Sequence, residues 1–155
     1  LAEGRPLFVR SANDKFNLAN FMRANLYASV GVLKIGNDIL FNEEKIRVDR
    51  ITAHGGLFKT KGVGQRILAA ALNSPISVME TAGEGGAWGI ALLAGYLINK
   101  AVNQSLADYL DEKVFFGNIG TEITPTAEEV EGFNTYIENY KVGLPIEQAA
   151  VKFKK

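Results

Sequence analysis

Cysteine is absent from this chain of 155 residues, so neither a disulfide framework nor a thiolate-bound metal can stabilise it. An excess of one charge is missing too. Seventeen lysines and arginines meet 17 aspartates and glutamates, for a formal net charge of +0. That leaves no electrostatic footprint for nucleic acid, and no clustered basic stripe appears along the chain. Long apolar runs are also lacking. The longest, Ala87 to Ile98, is too short to span a bilayer. No basic segment followed by an apolar run opens the sequence, so no signal peptide is expected. These absences together suggest a cytoplasmic protein with neither nucleic acid nor membrane as partner.

What is present suits a folded domain. Hydrophobic residues make up 47%, enough for a real core at this length, and one domain over 1–155 is the expectation. Gly4-Arg5-Pro6 is turn-like, and Leu7-Phe8-Val9 reads as a short strand. Leu18, Met22, Leu26, Val30, Leu33 and Leu40 recur at helical spacing and share one face. Gly31 and Gly36 interrupt that pattern, and the charged stretch Asn42 to Lys45 ends it.

Ile46 to Thr52 alternates apolar and polar residues, the period of a half-exposed strand. It runs into His54-Gly55-Gly56. A helix is expected from Lys61, with Val63, Ile67, Leu68, Ala71 and Leu72 on one side, stopped by Asn73-Ser74-Pro75. Ile76 to Met79 reads as another strand. Thr81 and Glu84 have the spacing of a capping box, starting a helix through Asn99 that is apolar nearly all round and therefore expected to be buried. Ser105 to Glu112 forms a short helix in this reading. A second box, Thr126 to Glu129, starts a helix to Lys141 that Gly143 ends, and Pro145 suits the first turn of a last helix, Ile146 to Phe153. Strand, helix, strand, helix, then helices indicate an α/β domain.

Chemistry concentrates between Ile51 and Arg66. A strand enters a glycine pair, crosses a short loop and enters a helix. Glycine permits positive φ and close approach of a ligand to the main chain. A helix start offers unpaired amides and partial positive charge, which suit phosphate. A second glycine cluster, Gly83, Gly85, Gly86 and Gly89, flanks the next helix start. Neither cluster is a P-loop, and no GxGxxG follows a strand. The residues alone leave both a tight structural turn and a ligand loop open.

Ala53 to Gln65, Ile67-Leu68-Ala69, Pro75-Ile76-Ser77-Val78 and Gly86-Ala87-Trp88-Gly89-Ile90-Ala91-Leu92-Leu93-Ala94-Gly95 together resemble the C-terminal signature region of the FGGY carbohydrate kinases. Phe21-Met22-Arg23-Ala24 extends the resemblance upstream. The tail around Asn139 to Glu147 is similar to xylulokinase- and ribulokinase-like members. Two positions depart from the family pattern. Tyr27 stands where a glutamate is common, and Leu57 stands where a third glycine is common.

The resemblance implies an actin-like, ribonuclease H-type fold in each of two domains with a cleft between them. This chain corresponds to the C-terminal domain as a fragment, and its own N-terminal sugar-binding domain, absent here, is its expected partner. ATP then lies mainly on this domain. The sugar, a ketopentose in the pentulose kinases, lies on the other, which also supplies the catalytic aspartate and holds most of the magnesium, Mg2+. A homodimer is a further candidate assembly.

By the same resemblance, Gly55 and Gly56 contact ATP or ADP through their backbone, with Leu57 beside them. Thr60 reaches adenine or ribose, or caps the helix. Gly85 and Gly86, with Ala87, lie near the adenine edge or close a helix against the sheet. No catalytic residue and no metal ligand is expected here. Glu84 is read as the capping glutamate and His54 as a hydrogen-bonding loop residue. Lys59 and Lys61 are read as solvated, Trp88 as core, and Gln65 and Arg66 as facing the surface or the missing domain. Another sugar or polyol kinase, an actin-like ATPase and a non-catalytic actin-like interaction module are the alternatives.

Overall fold

The computed structural model describes residues 6–48, 51–116 and 120–153. They fall into two compact units, one drawn from Leu1–Arg47, Ala70–Asn73 and Thr126–Lys155 and the other from Val48–Ala69 and Ser74–Pro125.

The first unit is built on two long helices. Helix α1 spans Leu18–Asp38, where Asn17 caps it by accepting the Asn20 amide at 2.8 Å. It runs through Gly31 and Gly36 and widens into one π turn over Ile39–Glu43, so the charged stretch at 42–45 does end it. Its expected apolar face is buried only at mid-length. Val30 is buried, whereas Leu18 and Met22 stand largely in solvent. Leu7-Phe8-Val9 is not a strand; Phe8 packs on Phe16 and Phe21 instead, with ring centroids 5.6 and 5.2 Å away. Of the expected turn at Gly4-Arg5-Pro6, Gly4 and Arg5 lie outside the described residues.

The second long helix of this unit is continuous from Ala127 to Lys152, where two helices were expected. Gly143 does not take the left-handed conformation that closes a helix, so the hydrogen-bond ladder continues past it. Pro145 then sits inside the helix and forfeits its own ladder bond. The expected capping box at the start is made: Thr126 Oγ1 accepts the Glu129 amide at 3.2 Å, and Glu129 Oε2 accepts the Thr126 amide at 2.8 Å. Phe133 and Ile137 are the buried residues on this helix. Gly31 of α1 is buried against Ile137 and Tyr140. Tyr27, the departure from the glutamate pattern, packs its ring on both Phe133 and Tyr136, at 4.8 and 5.2 Å. Tyr136 Oη donates to the Ala24 carbonyl at 3.4 Å. Burial, and secondarily Tyr140, hold its hydroxyl above the ordinary tyrosine value of 10.0.

The second unit holds a three-stranded sheet in the order β1-β2-β3. Strand β1 is Ile51–Thr52, helix α2 is Val63–Leu72, β2 is Ile76–Val78 and β3 is Thr121–Ile123. β1 and β2 are parallel, with Ile51 opposite Ile76, and β3 runs antiparallel to β2, with Ile76 opposite Ile123. Parallel pairing of β1 and β2 requires a crossover, which α2 supplies. The domain is therefore α/β, with a small mixed sheet.

Only the end of the strand expected over 46–52 forms. Ile46 to Val48 make no ladder, because the Ile46 amide bonds back to the Leu40 carbonyl at 3.0 Å, and Asp49 and Arg50 lie outside the described residues. The stop after α2 is as expected. Asn73 takes a left-handed φ of 47° and the Ser74 amide returns to the Ala69 carbonyl at 3.3 Å. Ala53, Leu68, Ala69, Ile76 and Ala82 form the buried apolar set of this unit.

Helix α3, Gly85–Asn99, was expected to be buried and is not. Trp88 packs on Phe115 and Tyr96 on Tyr109, so residues 100–116 cover one side. Ile90, Leu97 and Ile98 remain 69%, 70% and 82% exposed. An all-apolar helix carries no pattern that selects the side to be covered. Trp88, expected in the core, is only half-buried. The expected helix near Ser105 to Glu112 is one turn, α4, Leu106–Tyr109, continued by a π turn over Leu110–Val114. The continuous helix Ala127–Lys152 is α5.

Candidate functional site

The loop after β1 is shaped by two left-handed glycines. Gly55 has φ 116° and Gly62 has φ 77°, conformations in which a side chain is strained. Between them Gly56–Phe58 make one 3-10 turn, closed by Phe58 and Lys59 amides donating to the Gly55 and Gly56 carbonyls at 3.0 and 3.2 Å. The Gly55 amide donates to the Ala82 carbonyl at 2.7 Å, so this loop is tied to the segment after β2. Leu57 rests on Gly64. A Cβ there would lie 2.7 Å from Leu57 Cγ and 2.8 Å from its carbonyl oxygen, which makes glycine necessary at position 64.

Helix α2 begins at Val63 rather than Lys61. Thr60 therefore stands too early to be its cap. Its carbonyl accepts the Val63 amide at 3.4 Å in the preceding turn, and its side chain is exposed.

Beside this helix start is a cleft of about 740 Å³, in the range of small-molecule sites. Phe58 to Gly62 and Gln65 line one side, Val78 to Thr81 with Gly83 and Glu84 another, and Thr121 and Ile123 of β3 a third. It therefore lies past the carboxyl end of β2, where open α/β sheets bind ligands.

Gln65 is expected to face the surface or the missing domain, but it is 3% exposed. Its Nε2 donates to the Ile76 and Thr121 carbonyls at 2.7 and 2.8 Å, so one amide joins α2, β2 and β3 under the cleft. A polar residue in the first turn of a helix reads as surface; only the strand at 121–123, which the sequence pattern did not reveal, makes its burial necessary. Arg66 is exposed, as expected.

The expected capping box at Thr81 is not made either. Residues Glu80–Glu84 form a 3-10 turn, and α3 starts only at Gly85 with Glu84 as a cap residue that makes no side-chain cap bond. Glu84 Oε1 instead pairs with Lys59 Nζ at 2.6 Å. Both are well exposed, so this pair that bridges the loop to the segment after β2 contributes at most about 1 kcal/mol. Lys59 stays largely solvated, as expected, while making this exposed pair. Thr81 Oγ1 is left buried without a hydrogen-bond partner.

Of the residues expected to contact the nucleotide, Thr60 lines the cleft, as does Gly83 of the second glycine cluster. Gly55, Gly56 and Leu57 form the preceding bend of the loop and are not among the cleft residues. Gly85 packs against His54, where an added Cβ would lie 3.1 Å from the His54 Cβ, and His54 itself is exposed. Gly86 is exposed with open space beside it. The cleft thus gathers Lys59, Lys61, Gln65, Thr81 and Glu84 around Thr60, residues whose sequence signals pointed to solvent or to a cap. Among the described residues no group of three or more His, Asp or Glu is placed to hold a metal ion, and no helix is long and apolar enough to cross a membrane.

Among curated proteins and among solved structures, nothing matches the chain significantly. The family model for the C-terminal domain of the FGGY carbohydrate kinases matches residues 1–98, more than half of the chain, and takes in the glycine loop, α2, β2 and the turn that carries Thr81. By that match the chain belongs to the FGGY family of carbohydrate kinases.

Proposed function

We propose that this chain is the nucleotide-binding half of an ATP-dependent pentulose kinase of the xylulokinase or ribulokinase type, with an actin-like fold and a cytoplasmic location. The observation that carries the reading is the cleft of about 740 Å³ beside the start of α2, in a chain whose family consists of carbohydrate kinases. The tail resemblance around Asn139 to Glu147 supports the pentulose class.

The residues present fit a nucleotide in size and in kind. Hydroxyls of Thr60 and Thr81 and apolar walls from Met79 and Ile123 suit a nucleoside. Gly56 leaves open space beside the loop, so a ligand can come close to its main chain. The Val63 amide is taken by the Thr60 carbonyl, and the amides that follow it at the start of α2 lack partners within the helix and favour negative charge. Bound ATP with Mg2+ would supply the transferable phosphoryl group. The chain's own part is positioning, since phosphoryl transfer depends on alignment and charge neutralisation more than on covalent chemistry by the protein. The N-terminal kinase domain is the partner that brings the sugar and its general base, and closure of the two completes the site.

Phosphorylation assays with a panel of pentuloses, hexuloses and glycerol test this. The chain alone should give no turnover, and addition of a matching N-terminal domain should restore transfer, fastest to a pentulose. Robust turnover by the chain alone would overturn the division of labour. A preference for a hexulose or glycerol would overturn the substrate class.

A further inference from the structure

The cleft is electrically balanced: Lys59 and Lys61 on its walls are matched by Glu80 and Glu84. A polyphosphate needs an excess of positive charge or of aimed amides to replace its hydration. A balanced cleft with apolar walls suits instead the uncharged end of a nucleotide, its base and ribose. Its polar groups are mostly committed. Both hydrogens of the Gln65 amide are used by the Ile76 and Thr121 carbonyls. Thr121 Oγ1 lies 3.4 Å from Gln65 Oε1 and from the Val78 carbonyl. Thr60 is exposed, so water satisfies its hydroxyl.

Thr81 differs from all of these. Its hydroxyl is buried and unpartnered, at a cost that buried polar groups in folded proteins rarely bear. It lies on the 3-10 turn Glu80–Glu84, in the wall of the cleft. The turn is held by its backbone. The Ala82 amide donates to the Met79 carbonyl at 3.0 Å, and the Ala82 carbonyl accepts from Gly55. No hydrogen bond fixes the side chain in its present orientation.

We propose that Thr81 is a specificity-determining residue: its hydroxyl, turned toward the cleft by rotation about χ1, pairs with an exocyclic polar group of a nucleobase seated there, and the phosphates lie outside it, toward Gly55 and Gly56. This rests on the nucleotide reading above. Met79 and Ile123 supply the apolar surface against the base. The Lys59–Glu84 pair at the rim joins the two segments between which the base enters.

Thr81→Val removes the hydroxyl and keeps the shape, and Thr81→Ser keeps the hydroxyl. Calorimetric titrations of the parent chain and both variants would use ADP, the 5′-diphosphate of purine riboside, which lacks the exocyclic amine, and inorganic pyrophosphate. The parent and T81S should prefer ADP over the purine analogue by about fivefold, the worth of one hydrogen bond. T81V should bind the two equally while melting at the same or a higher temperature, since a methyl replaces an unpaired hydroxyl. An unchanged preference in T81V would overturn the inference and leave the nucleotide reading standing. So would pyrophosphate binding as tightly as ADP. If the parent bound neither ADP nor pyrophosphate, the nucleotide reading itself would fall, and the inference with it.

Discussion

Thr126 and Thr81 each stand three residues before a glutamate and just ahead of a helix, yet only the first pair makes a capping box. At Thr126 the helix begins at the next residue, and side chain and backbone satisfy each other as the spacing implies. At Thr81 the backbone is tied to another segment, the Ala82 carbonyl accepting the Gly55 amide, and residues Glu80–Glu84 turn as a 3-10 helix ahead of α3. The glutamate is released to pair with Lys59, and the threonine is left without a partner. A local motif is reliable where only local bonds compete for the backbone. Where another segment ties the backbone into a different turn, the motif fails, and the failure here lies in the wall of the cleft. Places where local rules break are expected to concentrate at functional sites.

The comparison can be broken most strongly at Gln65, which ties down the strands beneath the unmade box. Gln65→Leu leaves two strand carbonyls without their donor and should lower unfolding stability by about 2 to 4 kcal/mol in denaturant titration. Thr126→Ala should cost about 1 kcal/mol, the usual loss of a cap. Thr81→Val should cost nothing or raise stability, and equal losses at the two threonines would contradict the contrast. Lys59→Gln and Glu84→Gln should each change stability by about 0.5 kcal/mol or less, since both partners are exposed, and the difference should shrink in high salt. The smallest effect concerns α5, the helix that the made box begins. Tyr136 has its hydroxyl value raised in the folded state, so its neutral form is favoured there. Its contribution is fully present below pH 10 and is lost as pH climbs past that point. Thermal unfolding between about pH 9 and pH 11 should fall less steeply for Tyr136→Phe than for the parent.

Much of the fold was legible because its signals are local. Helical spacing gave α1, Asn73-Ser74-Pro75 gave the end of α2, and an apolar run bounded by Pro75 gave β2. Strand β3 was not legible, since Thr121-Glu122-Ile123 is too short to show a period and is recognised only through its partner β2. The continuity of α5 was hidden by Gly143 and Pro145, two breakers that did not prevail. Exposure of α3 was hidden for a different reason: composition says that a surface is apolar, and only packing says what covers it.

The site divides in the same way. Thr60 and the glycine loop follow from a contiguous stretch of sequence. The cleft does not, because Gln65 and Thr121 meet across 56 residues and Thr81 looked like a cap. Leu57 in place of a third glycine has its physical counterpart in Gly64, which makes room for it.

The central claim is that this chain holds a nucleotide, and calorimetric titration with ADP tests it most directly, using the parent and Gly56→Trp. Gly56 has open space beside it and an ordinary backbone conformation, so the substitution should leave the fold intact. Saturable binding by the parent, lost in the variant at an unchanged melting temperature, is the expected result. An absence of saturable heat in the parent, or equal binding by both proteins, would contradict it.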